Sequence, residues 1–358
     1  MTEQVNSMKK NLSRFSLFFL TLNLIACSKG STPPNPSNPG APTANAAPGA
    51  VNAPVSVPTT EAAMAGSHAV KTEMRNVNFH LTNEAVAHLE TLSGELVPVG
   101  KYDMPVFDDK ASFEVRVTNG TISISPQSLT SIMNGYVFAK KDSPLKDLSV
   151  SIDKDQLIIK GKLASKGIPF ETAGTLSATP DGRIRVHTDK VKALHVSVKG
   201  MMGLFGIDLA NVVNTSKIDG MDTDKNDLLM DLSKLLPPPH MQGKLVDVKV
   251  ANNSIITIFG DGGQSVRVSP EKGNYMAFRG NKVEFGKMVM NDTDLVVLDL
   301  DPGDPLDWNQ SRYKDQLVAG YSKITPSFGL RAYVKDYSKL PKSATALAAQ
   351  SATIVPTN

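Results

Sequence analysis

Apolar and polar side chains alternate along much of residues 113–163. Phe113, Val115 and Val117 alternate with Glu114, Arg116 and Thr118, and Ile122 and Ile124 alternate with Thr121, Ser123 and Ser125. Leu148, Val150 and Ile152, then Leu157, Ile159, Gly161 and Leu163, carry the same pattern onward. Successive side chains of a strand point to opposite faces, so a period of two specifies strands with one apolar and one wetted face. That is the pattern of antiparallel sheet. Asn119-Gly120 supplies the residues of a tight turn and predicts a hairpin between residues 113–118 and 121–125. Further strands are predicted at residues 170–178, 183–188 after Asp181-Gly182, 194–198, 244–250 and 254–259. There is no strand-helix-strand rhythm and no glycine-rich loop opening a helix, which disfavours dinucleotide-binding and P-loop architectures.

Helical spacing interrupts the alternation three times. Residues 82–92 start at a capping Thr82 and place Val86, Leu89 and Leu92 on one face. Residues 128–138 follow Pro126 and align Leu129, Ile132, Met133 and Tyr136. Residues 200–214 are apolar almost all round, with a polar stripe limited to Asp208, Asn211 and Thr215. Such a helix needs apolar surroundings on most sides.

The N-terminus is an address. Lys9, Lys10 and Arg14 precede an apolar run over residues 15–26, too short to cross a bilayer as a helix. The run ends in Leu24-Ile25-Ala26-Cys27, which resembles the bacterial lipoprotein box, and Cys27 is the one cysteine of the chain. The resemblance implies cleavage before Cys27 and a diacylglycerol carried on its sulfur, with acyl chains such as palmitate. Two or more acyl chains anchor stably where one does not. By the same resemblance, to lipoproteins of the enterobacterial kind, Ser28 after the lipidated cysteine implies sorting to the outer membrane, facing the periplasm. Residues 31–60 contain eight prolines and no charge, so they bury too little to offset their ordering entropy and read as a tether. As a coil the tether spans about 30 Å, and as polyproline II about 90 Å. The expected organisation is a signal peptide over residues 1–26 and a lipidated tether over 27–73. A curved-sheet domain over 74–260, a β-rich C-terminal extension over 261–340 and a tail over 341–358 follow.

The order of segments resembles a known family. A helix carrying Leu129 to Asn134, a hairpin reaching Leu163, Ile168-Pro169-Phe170, a strand over residues 183–188, the oily helix, and a hairpin over residues 246–259 are similar to the YceB-like and LmeA-like lipoproteins. These have a tubular lipid-binding (TULIP-like) fold. The resemblance covers about residues 75–260 and implies a strongly curved antiparallel sheet wrapped around one or two helices, leaving an apolar channel. With the periodicity, the expected class is α+β and β-rich. Leu129, Ile132 and Met133, together with Met201, Leu204, Phe205 and Val212, are then the expected ligand-lining residues.

Composition narrows the chemistry. Three of the 38 basic residues and one of the 35 acidic residues precede Cys27, leaving 35 and 34, a balance that gives nucleic acid no purchase. One thiol excludes a disulfide framework, and 358 residues are enough for a core without one. The six histidines, at positions 68, 80, 88, 187, 195 and 240, show no metal-ligand spacing. Asp222, Asp224 and Asn226 occupy positions one, three and five of a calcium loop, but Asp227 stands where glycine is needed and Ser233 where a bidentate glutamate is needed. Calcium is therefore the weaker reading and a solvated turn the stronger. Asp299, Asp301, Asp304 and Asp307 form a second acidic group. Residues 235–240 read as the rigid end of a short helix, with polyproline recognition as the alternative. No GxSxG elbow occurs and the thiol belongs to the anchor, so no catalytic residue and no cofactor are expected.

The expected function is that of a membrane-tethered lipoprotein binding or transferring a lipid or other apolar ligand in the bacterial envelope. The alternative is a non-catalytic structural lipoprotein with a protein partner. The intact mass of the mature chain should show Cys27 as its N-terminal residue carrying acyl groups, and Cys27→Ala should abolish that added mass. An unmodified Cys27 in the mature protein contradicts the anchor.

Overall fold

The computed structural model describes residues 68–164, 167–189, 191–193, 215–216, 218–260, 268–269 and 271–341. The chain is α+β and β-rich, with large curved sheets and few helices. In chain order the first elements are β1 (Val70–His80), β2 (Val86–Pro98), β3 (Phe113–Ile124), α1 (Pro126–Ile132, continued by a π-helical turn Met133–Val137), β4 (Leu145–Asp153) and β5 (Gln156–Leu163). Next come β6 (Ile168–Ala178), β7 (Ile184–Thr188), β8 (Lys192–Ala193), β9 (Met221–Asp224), β10 (Asp227–Met230), α2 (Leu232–Leu235), β11 (His240–Gly243), β12 (Leu245–Ala251) and β13 (Ser254–Phe259). The last part holds β14 (Tyr275–Gly280), β15 (Val283–Phe285), β16 (Met288–Met290), β17 (Thr293–Asp299), β18 (Leu306–Trp308), α3 (Tyr313–Val318), β19 (Tyr321–Ile324) and β20 (Leu330–Val334).

Two sheets carry the core. The larger has eleven strands in the order β12-β13-β3-β2-β1-β14-β17-β20-β19, with β11 beside β3 and β18 beside β1. The smaller has seven, in the order β4-β5-β6-β7-β10-β9, with β8 beside β6. Strands β4 to β7 and β10 keep the alternation seen in the sequence, burying Val150, Leu157, Ile159, Phe170, Ile184, Val186 and Leu228 on one face. These residues join one hydrophobic cluster with Leu89, Leu92, Val115, Val117 and Ile122 of the larger sheet. The β4–β5 turn places Lys154 in the left-handed region at φ 57°, and Gly182, of the Asp181-Gly182 pair ahead of β7, stands at φ 82°.

Two predictions are corrected. Residues 82–92 are a turn and the start of β2, not a helix. The Thr82 hydroxyl accepts from the Glu84 and Ala85 amides at 3.3 and 3.0 Å, so the capping chemistry closes the β1–β2 turn. The helical spacing of Leu89 and Leu92 comes from a shift of register between Leu89 and Thr91, where an extra residue lets two apolar side chains three apart share a face. Likewise Asn119-Gly120 is not a hairpin turn. It lies inside β3, which runs unbroken while its outer edge changes partner from β11, along Glu114 to Val117, to β13, along Gly120 to Ile124. A second shift between Ser93 and Gly94 lies opposite this point. There the strands approach so closely that a Cβ on Gly94 would stand 2.0 Å from the Arg116 carbonyl oxygen. Glycine marks close backbone approach here, not reversal.

The segment after Gly260 shares the larger sheet with the segment before it, because β14 pairs with β1 over six residues and β17 follows β14. Both faces are covered in this half. Met276, Phe278, Leu295 and Val297 face the main cluster, whereas Tyr275, Ala277, Val296 and Leu298 form a second one with Val268 and Tyr333. Hence β14 and β17 read as continuous apolar runs. The predicted helix over residues 200–214 and the predicted strand over 194–198 lie outside the described residues, as does Cys27.

Glu73, 1% exposed, ties β1 to this second layer. Its carboxylate accepts from the Tyr275 hydroxyl at 2.7 Å, the Val268 and Ser269 amides at 2.6 and 3.3 Å, and Arg75 Nε at 3.1 Å. Burial opposes its ionisation, but these hydrogen bonds outweigh it and hold its pKa below the ordinary 4.5. A carboxylate whose pKa is lowered by folding adds stability above its unfolded pKa, and that stability is lost as pH falls through the folded value. Glu73→Gln turns an amide N–H toward these donors and should cost about 2–3 kcal/mol at neutral pH. In urea melts the loss should shrink on acidification below the ordinary glutamate pKa.

Candidate apolar-ligand cavity

Between the sheets lies a cavity of about 120 Å³. Its walls come from both sheets: Met74 and Phe79 of β1, Leu89 and Leu92 of β2, Ile122 of β3 and Ile255 of β13 on one side, and Ile159, Leu176, Val186 and Met230 on the other. Leu235 at the end of α2, with Leu236 and Pro239 of the segment linking it to β11, lines a further part. Every described lining residue is apolar except Thr257, and its hydroxyl donates to the Ile122 carbonyl at 3.1 Å. The wall therefore offers no ionisable group among the described residues, and its one hydroxyl already has a partner.

Three of the residues singled out in the sequence, Leu129, Ile132 and Met133, are on the cavity wall with Val137. The helix is set there by its own polar side chains. Ser125 caps it by accepting from the Ser128 amide, and Pro126 opens the first turn. On the side toward β4, the Asn134 amide donates to the Leu148 carbonyl at 2.7 Å and accepts from the Leu148 N–H at 2.9 Å. Thr130 Oγ1 accepts from the Val150 N–H at 2.9 Å. These two side chains serve the outer edge of β4, the terminal strand of its sheet, as a neighbouring strand would. Leu148 lies in a register shift between Lys146 and Ser149, over Gly161, where a Cβ would meet its Cδ2 at 2.7 Å. Met201, Leu204, Phe205 and Val212 lie outside the described residues.

A size comparison decides what such a void does. One water needs roughly 10–15 Å³ of this kind of space, so the cavity has room for several, yet it gives them no partners. Left empty, it costs about 3 kcal/mol at ~24 cal/mol per Å³, a large share of a domain's net stability of about 5–15 kcal/mol. An apolar occupant removes that penalty. Five methionines, Met74, Met133, Met221, Met230 and Met241, line the space and lend the wall adaptability.

The acidic groups are occupied otherwise. Asp222 and Asp224 lie on β9, two residues apart in a hairpin, and the Asp222 carboxylate pairs with Arg183 at 2.9 Å. That is a strand with a short turn, with Asn226 in the turn, not a converging calcium loop. In the second group Lys339 places its ammonium 3.0 Å from Asp301, 3.0 Å from Asp304 and 2.9 Å from Asp336, while His80 Nε2 meets Asp307 at 2.6 Å. Among the described residues no three acidic or histidine side chains form a metal-binding group. His187 pairs with Asp227 and His88 with Asn78; His195 lies outside the described residues.

No protein-family description, curated protein or solved structure matches the chain. The cavity rests on its own geometry.

The contributions of β1, β2 and β11 are not legible in the sequence as site residues. Ala87 and Leu89 fall within the predicted helix, and Met241 follows a proline run; only the pairing of distant strands brings them to one wall. Asn134→Ala should cost about 2–3 kcal/mol, because two buried groups of Leu148 lose their partner. Hydrogen exchange should show the loosening confined to α1 and β4, the elements that Asn134 joins.

Proposed function

We propose that this protein is a membrane-tethered lipoprotein that holds a lipid acyl chain, or a ligand of like chemistry, in the cavity between its sheets. The observation that carries the reading is the wall itself: apolar on both sheets and on α1, with its one hydroxyl already bonded. A wall without charge selects an uncharged chain and leaves any headgroup outside. Each methylene removed from water contributes about 0.8 kcal/mol; a void of about 120 Å³ is on the scale that holds a benzene ring, so the roughly four carbons of a chain end that it admits supply about 3 kcal/mol before their ordering is subtracted. Binding by dispersion and the hydrophobic effect alone discriminates by length and width more than by chemistry.

The anchor belongs to the same proposal. The leader over residues 1–26, the box ending at Cys27 and the proline-rich tether support attachment in the bacterial envelope, at the outer membrane facing the periplasm. Among the described residues no helix is long and apolar enough to cross a membrane. The resemblance to YceB-like and LmeA-like lipoproteins is part of the proposal and adds lipid as the ligand class. The alternative, a structural lipoprotein with a protein partner, requires a filled interior, and the void favours the ligand-binding reading.

Ala87, 5% exposed, lies on the cavity wall from β2. Ala87→Phe should fill the void, keep or raise the melting temperature, and reduce uptake of a fluorescent apolar probe at least tenfold. A long-chain fatty acid should displace the probe from the parent protein and raise its melting temperature. A collapsed core predicts the reverse: a loss of about 1–3 kcal/mol from overpacking, with no probe uptake by either protein.

A further inference from the structure

The hairpin of β19 and β20 ends in residues for which the fold provides no cover. Phe328 is 87% exposed and Ile324 73% exposed, the highest values among the exposed large hydrophobics of the described residues. Phe328 also sits in the left-handed region at φ 62°, a conformation that glycine or asparagine takes readily and a bulky aromatic takes at a cost. Its neighbour Gly329 has a reason to be glycine, because a Cβ there would stand 2.2 Å from Asp294 Oδ2. No packing reason accounts for Phe328. The turn is nevertheless held: the Thr325 amide donates to the Gly329 carbonyl at 2.8 Å, the Phe328 amide to the Thr325 carbonyl at 2.9 Å, and the Gly329 amide to Thr325 Oγ1 at 2.9 Å. A hydrogen-bonded turn thus presents an aromatic ring outward.

Behind the tip the residues change character in layers. Lys323 Nζ lies 5.5 Å from the centroids of both Tyr321 and Tyr333, and these rings stack at 4.6 Å. Tyr321 is three residues before Ile324, about 10 Å back along the strand. An apolar tip with a collar of tyrosine and lysine matches the polarity gradient of a bilayer surface, where aromatic rings sit at headgroup level and lysine reaches water. The other charges here balance. Arg331 binds Glu271 and Asp294 at 2.9 and 3.0 Å, and Arg279 binds Asp294 at 3.3 Å. Two acids therefore face two arginines, and Lys323, which carries no ion pair among the described residues, leaves the hairpin one positive charge in excess. Anionic headgroups are attracted to it.

We propose that the β19–β20 tip is a membrane-contact element, with Phe328 and Ile324 entering the acyl boundary and Lys323 and Tyr321 at the headgroups. It is separate from the cavity and from the Cys27 anchor, and it stands if the cavity reading fails. A second copy of the chain fits less well. A stable protein interface buries about 800 Å² per partner, two side chains supply well under that, and β19 is four residues long with Pro326 just beyond it, a short edge for strand addition.

The test places a reporter at the tip of the full chain carrying Cys27→Ala. Trp308 is the one native tryptophan and is fully buried, so Phe328→Trp adds an exposed reporter to a constant background. With phosphatidylcholine vesicles containing phosphatidylglycerol, its emission should shift to the blue and be quenched by brominated acyl chains. The shift should weaken without phosphatidylglycerol and in Lys323→Glu. Phe328→Gly combined with Ile324→Ser should lower vesicle partitioning at least tenfold without lowering the melting temperature, since glycine suits the backbone there. Unchanged, unquenched emission from the Phe328→Trp reporter overturns the proposal, whether or not the protein is bound to vesicles. So does a blue shift that appears without vesicles and grows with protein concentration, which marks a second copy as the occupant. Probe uptake measured without vesicles reports on the cavity alone, so the two readings fail separately.

Discussion

A strand with one apolar face is stable only when that face is covered, and most of this molecule follows from meeting that requirement twice. The seven-stranded sheet turns Val150, Leu157, Ile159 and Val186 inward, and the larger sheet answers with Leu89, Leu92, Val115 and Ile122. The two faces do not close on each other completely. What remains between them is a void bounded on another side by α1 and by the segment joining α2 to β11. In a sheet pair built for packing alone, larger side chains would fill such a space. Here small and flexible residues, Ala87 and five methionines, border it.

The two halves of the large sheet serve different ends. From β1 through β14 to β17 the strands are covered on both faces, and the buried Glu73 accepts hydrogen bonds from Tyr275, Val268, Ser269 and Arg75. Phe107 adds edge-on contacts to Phe278 and Phe285, at 5.1 and 5.2 Å. This half is a solid support. The half from β2 to β13 lends its inner face to the cavity, so a fully packed region holds the backbone of one that is not. Strand β1 belongs to both, pairing with β2 along one edge and β14 along the other. The same division leaves the outer hairpin, four strands beyond β1, free to carry apolar residues that the core does not use.

The smaller sheet was the most legible part of the sequence. Its strands alternate cleanly, and its turn at Gly182 carries a residue suited to positive φ. The start of α1 was marked by Pro126, which acts through local backbone chemistry, whereas the Ser125 cap was not read in the sequence. The larger sheet misled in two places for one reason. A register shift adds a residue to one strand, so the apolar spacing of β2 imitates a helix, and Gly120 within β3 imitates a turn. Both are responses to neighbouring strands, and nothing within a few residues of them records which neighbours those are. The role of Asn134 was hidden likewise: an amide that completes the edge of β4 is in sequence only a polar residue near a helix end.

By itself, then, the sequence determined the secondary periodicity, the turn at Gly182 governed by local backbone preference, and the apolar character of α1. These depend on interactions between residues close along the chain. Tertiary structure decided that residues after Gly260 complete the sheet begun at β1, that the acidic groups are met by Arg183 and Lys339, and that side chains from both sheets surround one void. These are contacts across long loops, in which an alternating strand fits many partners equally well. The choice among those partners is made by shape and by the burial of polar groups, and both exist only once the strands are assembled.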